Sequence, residues 1–291
     1  MSFLILIIGF ALLIKGADVF VEGASSIAKK FNVPSMIIGL TIVAMGTSAP
    51  EAAVSVTSSL AGQNDMSVAN VVGSNFFNVL VVLGVSSIIA KLPVQEETIK
   101  KDTPFLILVS ILLLVFGINL KLGRIEGLAL LGLFTYFLVN TIKSAKKATE
   151  DDSLETGETA IAIETQTSSE ISLPKTILVS LVGIAGIVLG GDMVVNSATS
   201  IATSLGMSAN LVGLTIVAVG TSLPEFVTSI VAIKKGETEI AIGNVIGSNL
   251  FNILLVLGLA AVINPISMSM LAFIDIIFMV LITLLLYMFM K

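Results

Sequence analysis

The chain is a succession of long apolar runs separated by short clusters of charge. Five runs fall at about residues 3–28, 34–60, 66–90, 103–119 and 123–143, and four more at about 175–204, 209–233, 239–263 and 268–290. Several reach the roughly 20 apolar residues with which a helix crosses a bilayer. The alternation of polar and apolar positions that marks a membrane β-barrel is absent from the sequence. The pattern predicts an all-α polytopic membrane protein. The opening "MSFLILIIGFALLIKGAD" has no basic residue before its apolar run, so it reads as a first membrane helix and not as a cleaved signal. Between the two groups, "KKATEDDSLETGETAIAIETQTSSE" is polar and acidic, and predicts a flexible linker over residues 144–173.

A shift of 174 residues lays the second group on the first. Gly46 falls on Gly220, Glu51 on Glu225, Gly73 on Gly247, Asn78 on Asn252 and Asp18 on Asp192. From Gly39 to Glu51 only Met45 and Ala49 differ from their partners. The chain therefore reads as a first unit of five helices (1–143), the linker (144–173) and a second unit of four (174–291). An odd number of crossings in the first unit makes the second enter from the opposite side, which is the inverted repeat of many secondary transporters. The expected architecture is 5+5 helices with the tenth absent from this chain, which is either natively nine-span or truncated.

Charge adds an orientation. With the N-terminus outside, twelve of the fifteen Lys and Arg residues fall on one side, only Lys121 and Arg124 on the other, and Lys15 within the first helix. Basic residues concentrate on the cytoplasmic side. The expectation is a multi-pass protein of the cell membrane with the N-terminus outside and the linker cytoplasmic. Composition agrees: 55% of residues are hydrophobic and 12% charged, against about 25% charged in soluble domains. With no Cys and no His, disulfides, Cys/His metal sites and histidine proton relays are excluded. Nothing suggests nucleic-acid binding or an enzyme, since no nucleophile–base pair or hydride-cofactor loop is present. No cofactor is expected.

The chemistry sits where the repeat is tightest. "GTSAPE" and "GTSLPE" put Gly and Pro inside two apolar helices. Proline removes a backbone donor and disfavours helix at the residue before it, so both helices should break there. Free backbone at that depth is tolerated only inside protein or along a wet cavity. A charged side chain at the bilayer centre costs about 2.5–3.5 kcal/mol on insertion scales, which makes Glu51 and Glu225 functional candidates. In the following helices Asn70, Ser74 and Asn78, and their counterparts Asn244, Ser248 and Asn252, share one helix face. Gly73 and Gly247 beside that face would permit close helix approach. Asn75 and Asn249 point elsewhere and read as structural. Lys15, Asp18 and Glu22 on the first helix, with Asp192 and Asn196 on the sixth, suggest packing or gating beside the core.

Two glutamates brought together carry a charge that one Ca²⁺ or two Na⁺ would neutralise. Ca²⁺ takes six to eight oxygens at about 2.3–2.6 Å, and two bidentate carboxylates with freed carbonyls approach that number. The hydroxyls of Thr47, Ser48, Ser74, Thr221, Ser222 and Ser248 suit flanking Na⁺. Soft metals lack ligands.

The paired "GTS-x-PE" and "GSN-xx-N" motifs resemble the α-repeats of the Ca²⁺/cation antiporter superfamily, specifically prokaryotic sodium/calcium exchangers. The resemblance covers nearly the whole chain apart from the linker. It implies a ten-helix fold and Ca²⁺ and Na⁺ as transported substrates in the bilayer, with a monomer sufficient for transport. A central calcium site would use Glu51 and Glu225 with the carbonyls of Thr47 and Thr221. One flanking sodium site would use Ala44, Thr47, Ser48, Glu51 and Ser74. The other would use Ala218, Thr221, Ser222, Glu225 and Ser248. Asn78 and Asn252 would form the middle position. Some relatives carry Asp where this chain has Asn252, so a proton or K⁺ dependence tied to that acid is not implied here. The alternative is an H⁺/Ca²⁺, or other divalent, antiporter. Its repeats usually resemble "GN-xx-E", whereas the hydroxyl-rich motif favours Na⁺.

Overall fold

The computed structural model describes residues 1–62, 64–155, 173–207, 216 and 218–291. The first helix, α1 (Ser2–Lys30), runs without proline until Asn32 takes a left-handed conformation (φ 50°) and Pro34 redirects the chain. The second span is broken as the motif predicts. Its two halves, α2 (Ser35–Thr47) and α3 (Ala49–Leu60), meet at an angle of 48°. Ser48 (φ −84°, ψ 9°) is the non-helical joint, and Pro50 opens α3, where its missing amide costs least. The next span, α4, comprises Asn64–Phe76, a π-helical stretch Phe77–Leu83 and Gly84–Ile89. Then come α5 (Thr98–Asn119), a two-residue strand β1 (Lys121–Leu122) and α6 (Arg124–Glu155).

The second unit repeats this order. After α7 (Leu173–Ser204) come α8 (Ala218–Thr221) and α9 (Leu223–Lys234), again separated by a serine joint, Ser222 (φ −91°, ψ 4°). α10 comprises Thr238–Phe251, a π-helical stretch Asn252–Leu257 and Gly258–Ile263. A second short strand, β2 (Ile266–Ser267), pairs antiparallel with β1, and α11 (Met270–Met290) follows. The first part of the expected seventh helix, 209–215 and 217, lies outside the described residues, as do residues 156–172 of the expected linker. Seven described helices are long and apolar enough to cross a membrane, eight with the bent pair.

Two features organise the bundle. α10 is the buried axis, with 78% of its apolar window enclosed against 22–44% for the other spans. The main apolar core, with Leu106, Leu113, Leu130, Ile246 and Leu250, forms around it. Against this core lies the pair α1/α7, joined along a glycine seam. A β-carbon on Gly16 would stand 2.6 Å from Ile187 N, and one on its repeat partner Gly190 would stand 2.5 Å from Leu13 N. No side chain fits there, so the two helices cross at backbone contact distance. Phe3, Ile125 and Phe289 are among the large apolar side chains left exposed on the outer faces, where a bilayer would cover them.

The largest departure from the expected helix boundaries lies at the end of α6. The helix opening at Arg124 continues through Glu155, a dozen residues into the segment read as linker. Ser144–Glu155 contains no Gly or Pro and half of it is Ala, Lys and Glu, so leaving the apolar region does not end the helix.

Candidate ion-binding centre

The serine joints place both glutamates alike. Glu51 and Glu225 each stand in the first turn of a new helix, α3 or α9, just after the proline. Both are fully buried. A helix N-terminus favours negative charge, but burying a carboxylate without a counter-charge remains costly. Among the described residues neither forms an ion pair with Lys or Arg.

Hydroxyl groups hold one oxygen of each carboxylate. Glu51 Oε1 accepts from Ser222 at 3.1 Å and from Ser74 at 3.3 Å. Glu225 Oε1 accepts from Ser48 at 2.7 Å and from Ser248 at 3.5 Å. In each set one donor comes from the opposite repeat. The second oxygens, Glu51 Oε2 and Glu225 Oε2, are buried with no hydrogen-bond partner among the described residues, as are Asn78 Oδ1 and Asn252 Oδ1. Four buried acceptors from equivalent positions thus lack a donor. Buried polar atoms of this kind are rare unless something else satisfies them, and a cation does so for oxygens. Among the described residues no cluster of three or more acidic groups forms. Further ligands would have to be hydroxyl, amide or carbonyl oxygens.

The threonines tie the joints to the neighbouring helices. Thr47 Oγ1 lies 3.0 Å from Asn244 Oδ1 and within reach of the carbonyls of Val43 (3.2 Å) and Ala44 (3.3 Å). Thr221 Oγ1 reaches Asn70 Oδ1 at 3.5 Å. The Ala44 carbonyl also accepts from Ser48 N at 3.0 Å. Ala218 opens α8, but its side chain lies outside the described residues. The cross-repeat bonds set the sequence-derived grouping in a new light. Ser48 is hydrogen-bonded to Glu225 and Ser222 to Glu51, each serine to the acid of the other unit.

Several residues outside the sequence-derived set belong to the same network. Asn70 Nδ2 donates to the Glu51 carbonyl (3.3 Å) and to Ser55 Oγ (3.0 Å). Asn244 Nδ2 does the same for Glu225 (3.3 Å) and Ser229 (3.0 Å). These amides brace the turns carrying the acids. Ser55 and Ser229 could have been found as a repeated pair four residues after each glutamate. Asn75 and Asn249 are buried and bonded across the repeats. Gly247 justifies its expected role: a β-carbon there would stand 2.4 Å from Leu40 O. Of the segment matching Leu40 in the second unit, residues 208–215 lie outside the described residues. Of the gating candidates, Asp18 pairs with Lys235 at 2.9 Å and less closely with Lys15 at 4.0 Å.

Comparison with known proteins identifies a family. The family model described as "Sodium/calcium exchanger protein" matches residues 1–143 and 175–291. The putative antiporter CaxA of Alkalimonas amylolytica is 44% identical over 263 residues, covering 89% of this chain and 80% of the relative. The sodium/calcium exchanger MaX1 of Methanosarcina acetivorans is 33% identical over 296 residues, covering 92% and 85%. Among solved structures, the sodium-calcium exchanger NCX_Mj soaked with 2.5 mM Na⁺ and 0.1 mM Ca²⁺ superposes with a TM-score of 0.86 at 31% identity, covering all of this chain and 90% of that one. The matched segments contain both units and break off around the acidic segment between them. With its two serine-jointed helices and paired buried glutamates, the chain belongs to the sodium/calcium exchanger family, whose members are membrane transporters.

Proposed function

We propose that this protein is a secondary antiporter exchanging Na⁺ for Ca²⁺ by alternating access, with Glu51 and Glu225 forming a centre for which the two ions compete. The observation that carries the reading is the pair of fully buried carboxylates, each held through Oε1 and each with an unpartnered Oε2. Two negative charges in a dry interior call for a divalent cation or two monovalent ones. The central position takes Ca²⁺ through both glutamates and the carbonyls of Thr47 and Thr221. Na⁺ occupies flanking positions built from Ala44, Ser48 and Ser74 in one unit and Ala218, Ser222 and Ser248 in the other, while Asn78 and Asn252 supply the middle. The names of the relatives support Na⁺ and Ca²⁺ as cargo, and the neutral hydroxyls around each acid suit Na⁺. The protein sits in the cell membrane with its N-terminus outside and the acidic linker in the cytoplasm. A monomer suffices.

The test is uptake of ⁴⁵Ca into liposomes containing the purified protein. An outward Na⁺ gradient should drive uptake, and Glu51→Gln should reduce it at least about a hundredfold, because one charge and one ligand are lost together. Uptake driven by a pH gradient and indifferent to Na⁺ would replace this reading with the proton-coupled one.

A further inference from the structure

Asn75 and Asn249 follow the serines of "GSN" and point off the face that carries Ser74 and Ser248. The structure finds a use for them from the opposite repeat. Asn78 Nδ2 donates to Asn249 Oδ1 at 3.0 Å, and Asn252 Nδ2 donates to Asn75 Oδ1 at 3.2 Å. All four side chains are at most 2% exposed. The sequence separations, 171 and 177, straddle the repeat shift symmetrically, so the same bond is made twice about a pseudo-twofold axis. Each bond occupies the nitrogen of an amide whose oxygen, Asn78 Oδ1 or Asn252 Oδ1, is buried without a partner among the described residues.

A primary amide has nearly the same shape at its two ends and opposite polarity. Turned one way, Asn252 offers a cation an oxygen ligand. Turned the other way, it offers an N–H₂ group that repels the cation. A carboxylate has no such choice to make. A middle position made of two asparagines therefore needs something to orient both amides. Asn75 has a fixed direction of its own: its Nδ2 points to the backbone carbonyl of Asn249 at 3.4 Å and to Met279 Sδ at 3.5 Å. A backbone carbonyl only accepts, so the Asn75 nitrogen is committed to it and Oδ1 is the end left for Asn252. Orientation is passed from main chain to Asn75, and from Asn75 to Asn252.

We propose that Asn75 and Asn249 are positioning residues that hold the Asn252 and Asn78 amides with their oxygens turned to the transported cation. The proposal rests on the ion-centre reading above. The competing account is that these amides only fasten α4 to α10.

The experiment compares Asn75→Leu in two backgrounds, the natural chain and Asn252→Asp, with ⁴⁵Ca uptake and equilibrium ⁴⁵Ca binding measured on both. In the natural chain the substitution frees Asn252 to turn, and KM and Kd for Ca²⁺ should rise about five- to tenfold, the scale of one lost hydrogen bond, with a smaller change in kcat. In the Asn252→Asp chain there is no amide to orient, and Asn75 Oδ1 faces a carboxylate oxygen. There Asn75→Leu should leave the Ca²⁺ affinity unchanged or improve it. Equal loss in both backgrounds would overturn the proposal in favour of simple packing. If Asn75→Leu does not yield folded protein, the mirror pair, Asn249→Leu with and without Asn78→Asp, and the smaller Asn75→Ala carry the same comparison. Failure of the natural chain to take up Ca²⁺ against Na⁺ would count against the transport reading alone, since equilibrium binding still tests the orientation.

Discussion

Ser48 and Ser222 each stand three residues before one glutamate and donate to the other, at 2.7 and 3.1 Å. Removing either hydroxyl costs a hydrogen bond to an acidic side chain, worth about 1.5–3 kcal/mol when that group is charged. The two losses should differ. Ser222→Ala leaves Glu51 Oε1 with Ser74 at 3.3 Å, whereas Ser48→Ala leaves Glu225 Oε1 with Ser248 at the longer 3.5 Å. Thermal unfolding in ion-free detergent should therefore show Ser48→Ala as the less stable variant. Saturating Ca²⁺ should narrow the gap, because an ion at the centre takes over the role of donor to the carboxylate. At this scale the two acids were legible in the sequence and their wiring was not. Two acids in matching "GTS-x-PE" segments, each costly in a bilayer, stand out in the sequence alone. A repeat alignment, however, pairs equivalent residues, while a twofold brings together non-equivalent ones such as Ser48 with Glu225 and Asn75 with Asn252. That is why Asn75 and Asn249, off the expected face, read as structural.

Among the elements, the broken helices were legible because proline acts locally: it removes one donor and disfavours helix at the residue before it. The π-helical stretches at Phe77–Leu83 and Asn252–Leu257 were not. A wider hydrogen-bond ring has no residue-type signature, yet both begin at the ends of the "GSN" motifs, and such segments gather at functional positions. The early start of α5 at Thr98 was hidden in a charged stretch, where Lys100 and Lys101 pair with Glu96 and Glu97 at 2.6 Å. Close helix approach lies between these cases, since glycine permits it without saying where it is used. At Gly247 it is used, as a β-carbon there would stand 2.4 Å from Leu40 O and 2.7 Å from Ala44 Cβ. Gly247→Ala should push α10 away from α2 and destabilise the protein by about 1–3 kcal/mol, the usual cost of overpacking. Gly132→Ala, with nothing within 4 Å of the added carbon, should be neutral or stabilising as a helix substitution. Thermal unfolding of the two purified variants provides the comparison, and equal behaviour would mean that the α2/α10 contact is not tight.

Across the whole molecule the hydrogen bonds of the centre come in twofold pairs, and the charges at the ends do not. At the end carrying Lys29 and Lys30, α1 is tied to the end of α9 and the turn beyond it: Lys235 pairs with Asp18 at 2.9 Å and Glu22 at 3.4 Å, Lys29 with Glu237 at 3.4 Å, and Ser25 donates to Glu237. The repeat shift maps Lys235 to Ala61, Glu237 to Gln63, Glu22 to Asn196 and Lys29 to Thr203, leaving Asp192 without a basic partner at any matching position. Among the described residues only the first of these ends is held by ion pairs of this kind. The pairs are half-exposed, so each is worth about 0.2–1 kcal/mol, too little to govern folding but enough to tilt a balance between two access states. Under the alternating-access reading, Lys235→Ala should shift that balance toward opening at its own end by roughly two- to fivefold. The absence of native cysteine makes this measurable with single thiols. Ala28 on α1 and its repeat mate Ala202 on α7 are 2% and 6% exposed. With Lys235→Ala, alkylation of Ala28→Cys should quicken by that factor while alkylation of Ala202→Cys slows, because opening one end closes the other. If both thiols react faster together, the ion pairs merely hold α1 against the bundle and the asymmetry of charge has no part in the direction of access.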